Sequence, residues 1–229
     1  KCNFAGQSYH DAIEQYKKQR SPKTRLFLFK AGCLVNFAMD LQEVYMCTRL
    51  SSESTYFLPF NIGNGHGVDA GNGNPIFDDK YSVYYMWDDI LQKDTVIDLI
   101  SEFIFVDRKE ETDEVTGKKT VKEKLIFPRY HQLDVIRKTV ADVTENRTSQ
   151  NYLIQHSAGS GKTNSIAWLA HRLSSLHDRQ NKMIFDNIII CTDRVVVDRQ
   201  LQSAILGIEH VPGLIKVLDD KATSADLSA

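Results

Sequence analysis

The sequence has few cysteines and prolines, no long apolar run and almost no net charge. Its 229 residues include 4 Cys and 5 Pro, and the formal net charge is −2. The cysteines are widely spaced and form no C-x-x-C pair, which argues against a disulfide or zinc framework and favours reduced, mostly buried thiols. No stretch approaches the roughly 20 apolar residues of a membrane helix, and no secretory signal is visible. A cytoplasmic protein outside the membrane is therefore expected.

The overall amino-acid composition is that of an ordinary globular protein. Hydrophobic residues make up 42% and charged residues 25%, which suits one large domain or two small ones. The balanced charge argues against a protein that coats nucleic acid, although a local basic face is compatible with it. Both ends look cut, because Lys1 is not an initiator Met and residues 222–229 are small and polar. We expect a fragment of a larger protein.

Residues 156–163 read His-Ser-Ala-Gly-Ser-Gly-Lys-Thr and have the pattern of a phosphate-binding loop. They follow a short apolar run, 152–154, and precede a helical pattern over 164–176, which is the strand–loop–helix setting that the motif requires. The glycines let backbone N–H groups converge on a polyphosphate, and the helix start adds its positive dipole end. A nucleoside triphosphate is the expected ligand.

Each residue of this loop has an expected role. Lys162 would contact the β- and γ-phosphates, and the Thr163 hydroxyl would ligate Mg²⁺. The expected nucleotide-binding residues are Ala158, Gly159, Ser160, Gly161, Lys162 and Thr163. His156 stands where the full pattern has Gly, so an ordinary strand-to-helix turn is the alternative.

Two further polar groups flank the loop in sequence. Residues 129–132 open a helix near Pro128, and Gln132 could pair with an adenine edge as donor and acceptor at once; a plain surface glutamine is the alternative. Thr192 and Arg194 follow an apolar run that is typical of a buried parallel strand. They could contact a nucleic-acid backbone, or the loop could simply cap the next helix.

The remaining pattern divides the chain. The predicted elements are a helix over 9–20 with a capping box at Ser8, strands at 26–29, 33–38, 43–50 and 187–191, two helices within 81–106, the second capped by Asp94, and a helix over 195–206. A charged stretch, 107–124, is expected to form an exposed hairpin with a turn near Gly117, or a mobile link. Beyond it, alternating strands and helices predict a parallel sheet with its ligand at the strand ends.

Three of these segments together resemble the ATPase motor of superfamily 2 helicases and translocases. They are residues 129–132, 158–163 and 188–194, and the likeness is strongest to the restriction (R) subunit of type I restriction–modification enzymes. In that superfamily the position of His156 varies. Stretches at 58–61, 71–75, 84–87 and 99–104 resemble the part of that subunit that joins nuclease to motor.

The resemblance implies an α/β chain. Residues 125–229 would be the start of a RecA-like, parallel-sheet P-loop ATPase domain, and residues 1–106 the C-terminal part of a restriction-endonuclease-like domain with its connecting helices. Residues 107–124 would be the link between them. ATP and Mg²⁺ would be the cofactors, double-stranded DNA the substrate, and the modification and specificity subunits the partners.

The resemblance also implies roles for single residues. Arg129 and Gln132 would bind the nucleotide, and Lys162 would act in ATP hydrolysis. Thr192 and Arg194 would contact the DNA along which the motor moves. Lys1 stands where the Lys of the nuclease motif Glu-x-Lys would fall, or is simply the first residue.

Other functions stay open at this stage. No apolar strand ending in Asp-Glu follows Cys191, so weak ATP binding with little turnover is expected of this chain alone. A different P-loop enzyme, such as a small kinase, and a non-catalytic nucleotide-binding module are the alternatives.

Overall fold

The computed structural model describes residues 6–65, 73–112, 117, 119–146, 150–193, 195–208 and 215–218. The chain divides into two compact units, Lys1–Lys138 and Thr139–Ala229. This boundary falls inside a helix, α3 (Tyr130–Asn146). The division at 107–124 expected from sequence stays a prediction.

Helix α1 (Tyr9–Gln19) begins at the capping box that the sequence predicts. The backbone N–H of Ser8 donates to Asp11 Oδ2 at 2.7 Å, which satisfies one of the donors left over at a helix start. The helix buries Ala12 in an apolar cluster with Ala38, Cys47, Leu50 and Phe57. The predicted helix is confirmed to within one residue.

A three-stranded antiparallel sheet carries much of that cluster. Its strands are β1 (Asn36–Met39), β2 (Val44–Cys47) and β3 (Leu58–Pro59), in that order. Phe37 lies opposite Met46, and Met46 opposite Leu58. Two of the predicted strands are therefore confirmed in shortened form.

The strand predicted at 26–29 is wrong. Residues Arg25–Phe27 form a 3₁₀ turn, and the Leu26 carbonyl accepts a hydrogen bond from Cys33 N at 2.7 Å. The chain folds so closely over Gly32 that a Cβ there would lie 2.2 Å from Leu26 O. Leu26 and Leu28 stay exposed, so the run lacks the buried face that holds a strand in a sheet.

The segment predicted as two helices contains one α-helix between two π-helical turns. These are the turn Met86–Ile90, helix α2 (Lys93–Asp98) and the turn Leu99–Phe103. The predicted cap at Asp94 is wrong, because Gln92 is the N-cap and Asp94 lies in the first turn. There its carboxylate still faces the positive end of the helix dipole.

The charged stretch forms the hairpin that was one of its two predicted structures. Strands β4 (Phe105–Thr112) and β5 (Lys119–Ile126) pair antiparallel, and Gly117 has φ +66°. Arg108 Nε lies 3.0 Å from Glu123 Oε1, and Lys119 Nζ lies 3.8 Å from Glu110 Oε2. Oppositely charged side chains therefore pair across the hairpin.

An aromatic cluster connects the sheet, the hairpin end and the start of α3. Phe60 lies 5.4 Å from Phe37 and 6.0 Å from both Phe127 and Tyr130, measured between ring centroids. The hydroxyl of Tyr85 donates to Phe60 O at 2.6 Å. The start of α3 is thus anchored in a packed core.

The second unit holds two helices close to their predicted ranges, α4 (Lys162–Ser174) and α5 (Val195–Ile208). Trp168 of α4 is fully buried and Leu201 of α5 nearly so. His171 Nε2 lies 3.1 Å from Ile205 O, which joins the two helices directly.

The strands predicted beside these helices are not formed in the described part of the chain. Residues 152–154 and 187–191 have no regular secondary structure and no ladder partner there. Leu153 is 92% exposed and Ile189 66% exposed. A strand needs a neighbour to satisfy its backbone groups, and the described residues supply none. Among those residues, the architecture is mixed α/β with two small antiparallel sheets.

Candidate nucleotide-binding site

The predicted phosphate loop enters α4 through two glycines in the left-handed region. Gly159 has φ +73° and Gly161 φ +84°, which residues with a Cβ adopt only at a cost. Between them, Ser160 N donates to Ser157 O at 3.3 Å and closes a tight turn. Gly161 is the N-cap of α4, and its carbonyl accepts from Asn164 N at 3.1 Å. Lys162 is thereby the first helical residue.

The side chain of Lys162 folds back over this loop. Its Nζ donates to His156 O at 3.1 Å and to Ser157 O at 2.8 Å. Because the backbone carbonyl of His156 is the acceptor, a side chain at that position does not prevent the bond. Both acceptors are neutral, and an ammonium group binds a charged phosphate oxygen more strongly.

The helix start offers further donors. The amides of Lys162 and Thr163 belong to the first turn, which has no intrahelical acceptors, so they suit an anion. Ser157 and Ala158 are exposed, and Thr163 is half-buried. The donor set fits the phosphates of a nucleotide. Among the described residues, no group of three or more His, Cys, Asp and Glu could hold a metal ion.

Gln132 has a local role that the sequence did not reveal. It is 3% exposed, and its Oε1 accepts from Arg129 N at 2.8 Å. This is the side-chain half of a capping box, in which the third helical residue reaches back to the residue before the helix. Burial lowers the pKa of Arg129, although a guanidinium stays charged. Gln132 lies in the first compact unit and Lys162 in the second.

Asp89, in the π-helical turn Met86–Ile90, contacts α3, and no sequence pattern indicates this role. Arg137 Nη1 of α3 lies 2.9 and 3.1 Å from its two carboxylate oxygens, and Thr95 Oγ1 donates to Oδ1 at 3.0 Å. The carboxylate therefore joins α2, the preceding π-helical turn and α3. Asp89 and Arg137 are 48 positions apart in sequence, and no local pattern pairs residues at such a distance.

The remaining predicted site residues are isolated or not described. Thr192 is exposed in an irregular segment just before α5. Arg194 and Lys1 lie outside the described residues. Of the three described cysteines, Cys47 is buried, Cys33 half-buried and Cys191 exposed, so one of the three has the burial expected of most of them.

Comparison with known proteins gives the site a family context. The sequence model of the SWI2/SNF2 ATPase family matches residues 131–222, a range that contains Gln132, the phosphate loop, α4 and α5. A protein of Methanocaldococcus jannaschii named as the MjaVIIIP endonuclease subunit of a type I restriction enzyme is 26% identical over 146 residues. The resemblance to type I restriction subunits is confirmed. The alignment covers 58% of this chain and 13% of that relative.

The chain spans about an eighth of the relative's length, since 13% of that protein is aligned. No solved structure matches the chain. Within the described residues, no helix is long and apolar enough to cross a bilayer.

Proposed function

We propose that the chain is part of the ATP-driven DNA translocase and endonuclease subunit of a type I restriction enzyme. The observation that carries the proposal is the loop of residues 156–161, closed by the Lys162 ammonium at the start of α4. The family matches support an ATPase over this segment and a restriction subunit over the chain. ATP hydrolysis would drive translocation along duplex DNA, which the nuclease domain would cut.

The loop residues would bind the triphosphate by exchanging partners. Lys162 Nζ gives up the two loop carbonyls and donates to β- and γ-phosphate oxygens, which are charged and therefore stronger acceptors. Gly159 and Gly161 keep the loop in the conformation that turns its amides inward. The Thr163 hydroxyl would ligate Mg²⁺, which when bound offsets the phosphate charge.

Arg129 and Gln132 would hold the base. Gln132 Oε1 accepts a hydrogen bond from Arg129 N, which positions this side chain at the start of α3.

The larger assignments belong to the same proposal. Residues 125–229 would start a RecA-like domain with a parallel sheet, and residues 1–106 would end a nuclease domain. Thr192 and Arg194 would contact DNA, and Lys1 would be the nuclease lysine. Modification and specificity subunits would be the partners, in the cytoplasm.

Replacing Lys162 by Ala tests the nucleotide site. A hydrogen bond to a charged group contributes about 1.5–3 kcal/mol, so the affinity for a fluorescent ATP analogue with Mg²⁺ should fall about tenfold or more. Lys182→Ala removes the same charge from an exposed position near α4 and is the matched control. Equal affinities for the Lys162→Ala variant and the parent chain would refute the site.

Turnover separates the proposal from its alternatives. The 229-residue chain should bind ATP with little hydrolysis, because no Asp-Glu strand end follows Cys191. Robust DNA-stimulated hydrolysis by this chain would contradict that expectation. Transfer of phosphate to a small acceptor would favour a kinase. Unchanged DNA translocation by a complete restriction subunit carrying Lys162→Ala would favour a non-catalytic module.

A further inference from the structure

Residues 76–100 leave an unusual number of large apolar side chains in solvent. Two successive helical segments of this stretch each have an inner and an outer side. In α2 and its continuation the buried residues are Thr95, Leu99 and Phe103, spaced four apart on one side. Ile97 and Ile100 are each 53% exposed and lie off that side.

The preceding π-helical turn repeats this arrangement. Met86 and Ile90 are buried, whereas Trp87 and Leu91 are exposed. The exposed Tyr81 ring lies 6.2 Å from the Trp87 ring in an edge-on arrangement. We use the name outer face for the exposed apolar residues of this segment, which are Ile76, Tyr81, Trp87, Leu91, Ile97 and Ile100. Trp87 lies beside Tyr81, and Ile97 and Ile100 are three residues apart, a spacing that makes them neighbours on a helix. Exposed apolar side chains that are neighbours mark interaction sites, whereas single ones do not.

The turn and helix that carry the outer face are held together and to α3. Thr95 Oγ1 donates to Asp89 Oδ1 at 3.0 Å, and Arg137 binds the same carboxylate. Gln92 Nε2 also donates to Trp87 O at 2.5 Å. The face is therefore presented on fixed elements, so a partner would lose little free energy in ordering it.

The charge around the outer face selects the partner. Residues 76–104 contain seven Asp or Glu and two Lys, a formal net charge of −5. Asp89 is paired with Arg137, and Lys80 lies over the Tyr84 ring at 3.6 Å. Asp78, Asp79, Asp88 and Asp94 are exposed. A nucleic-acid backbone would be repelled by this rim, whereas lysines and arginines would be attracted.

We propose that the outer face is a docking site for a protein segment with apolar side chains flanked by lysines or arginines. The apolar side chains cover Trp87, Leu91 and the two isoleucines, and the cations meet the acidic rim. A cation over the exposed Trp87 or Tyr81 ring adds a cation–π contact. The outer face includes none of the residues of the nucleotide loop, so the proposal does not depend on ATP binding.

A pair of synthetic peptides tests the proposal on the full chain. One is an amphipathic helix of Leu and Lys, and the other has Glu in place of every Lys. We expect the Lys peptide to bind and the Glu peptide not to bind, with affinity falling as salt screens the rim. The double substitution Trp87→Ser with Ile97→Ser should weaken binding at least about tenfold, whereas Tyr56→Ser, at another exposed aromatic, should not.

A second double substitution tests whether the acidic residues select the charge of the partner. Asp88→Lys with Asp94→Lys should weaken binding of the Lys peptide and allow the Glu peptide to bind. Both residues are exposed, and loss of the Asp94 carboxylate from the first turn of α2 removes only a small favourable interaction with the helix dipole, so the unfolding temperature should shift only slightly. If Trp87→Ser lowers the unfolding temperature, Ile97→Ser with Ile100→Ser serves instead.

Three results would overturn the proposal. Equal binding of the two peptides would show that the rim selects no charge. Duplex DNA binding that is lost with the Trp87 variant would assign the face to nucleic acid. Self-association of the chain in sedimentation, lost with the same variant, would assign it to a second copy. Lys162→Ala should leave peptide binding unchanged, which separates this test from that of the nucleotide site.

Discussion

At the scale of single residues, the loop proposed to bind the nucleotide depends on backbone atoms more than the motif suggests. Lys162 binds two loop carbonyls, and one of them belongs to His156, the residue that departs from the full pattern. This hydrogen bond tolerates the departure because it uses the backbone carbonyl, which every residue has. Gln132 likewise uses its side chain to satisfy a backbone amide of its own helix. In both cases local backbone geometry sets the position of the side chain.

Gly161→Ala should weaken nucleotide binding without unfolding the chain. Gly161 has φ +84°, where a residue with a Cβ costs about 1–2 kcal/mol. The loop would shift to relieve that strain, and the affinity for the ATP analogue should fall about five- to thirtyfold. Titration with that analogue measures the change.

Gly207→Ala is the matched control. Gly207 lies in α5 without positive φ, and Ala there should raise stability by up to about 1 kcal/mol. Unchanged ATP affinity in the Gly161→Ala variant would show that the left-handed conformation is not needed for binding.

At the scale of elements, the helices follow their sequence patterns more closely than the strands do. Helices α1, α4 and α5 begin within two residues of their predicted starts, because capping and periodicity are local. The run at 26–29 is a turn, and those at 152–154 and 187–191 are unpaired in the described part of the chain. A strand depends on a partner that its own sequence does not specify.

Glu123 should contribute to the folding stability of the hairpin β4–β5, and this contribution should be lost in acid. Lys30 is the main cause, with Arg108, of the lowered pKa of the Glu123 carboxyl. A lowered pKa in the folded state gives stability that is present above the unfolded value, about 4.3, and is lost as pH falls through the folded value. The stability difference between the parent chain and Glu123→Gln should therefore be constant near neutrality and shrink in acid.

Thermal unfolding at a series of pH values measures this difference. Glu145→Gln, at an exposed position in α3, is the control and should show no such trend. A difference that grows in acid would contradict the ion-pair explanation.

At the scale of the whole molecule, the described residues form two compact units whose cores differ in kind. The first is built on aromatic rings and a three-stranded sheet, and the second on the packing of α4 with α5. The boundary at 107–124 that the charge composition predicts stays a prediction. The compact units divide at Lys138, inside α3, and an ion pair between Lys30 and Glu123 joins the hairpin to the preceding part of the first unit.

Thiol reactivity should report on the two units separately. Burial raises the pKa of the Cys47 thiol to about 12, whereas Cys191 is exposed. At pH 8, alkylation of the native chain, followed by mass-spectrometric mapping, should modify Cys191 quickly and Cys47 only after denaturation. Cys191→Ser assigns the fast phase. Equally fast modification of Cys47 in the native chain would contradict the core of the first unit.

The sequence by itself determined the phosphate loop, the helix that follows it, the capping box of α1 and the likeness to restriction subunits. These depend on residues close together in the chain, whose spacing fixes backbone turns and helical faces. Tertiary structure alone decided that Gln132 is buried, that Asp89 holds Arg137, and that the outer face of residues 76–100 meets solvent. Such contacts join distant positions, and only packing in three dimensions selects which of them form.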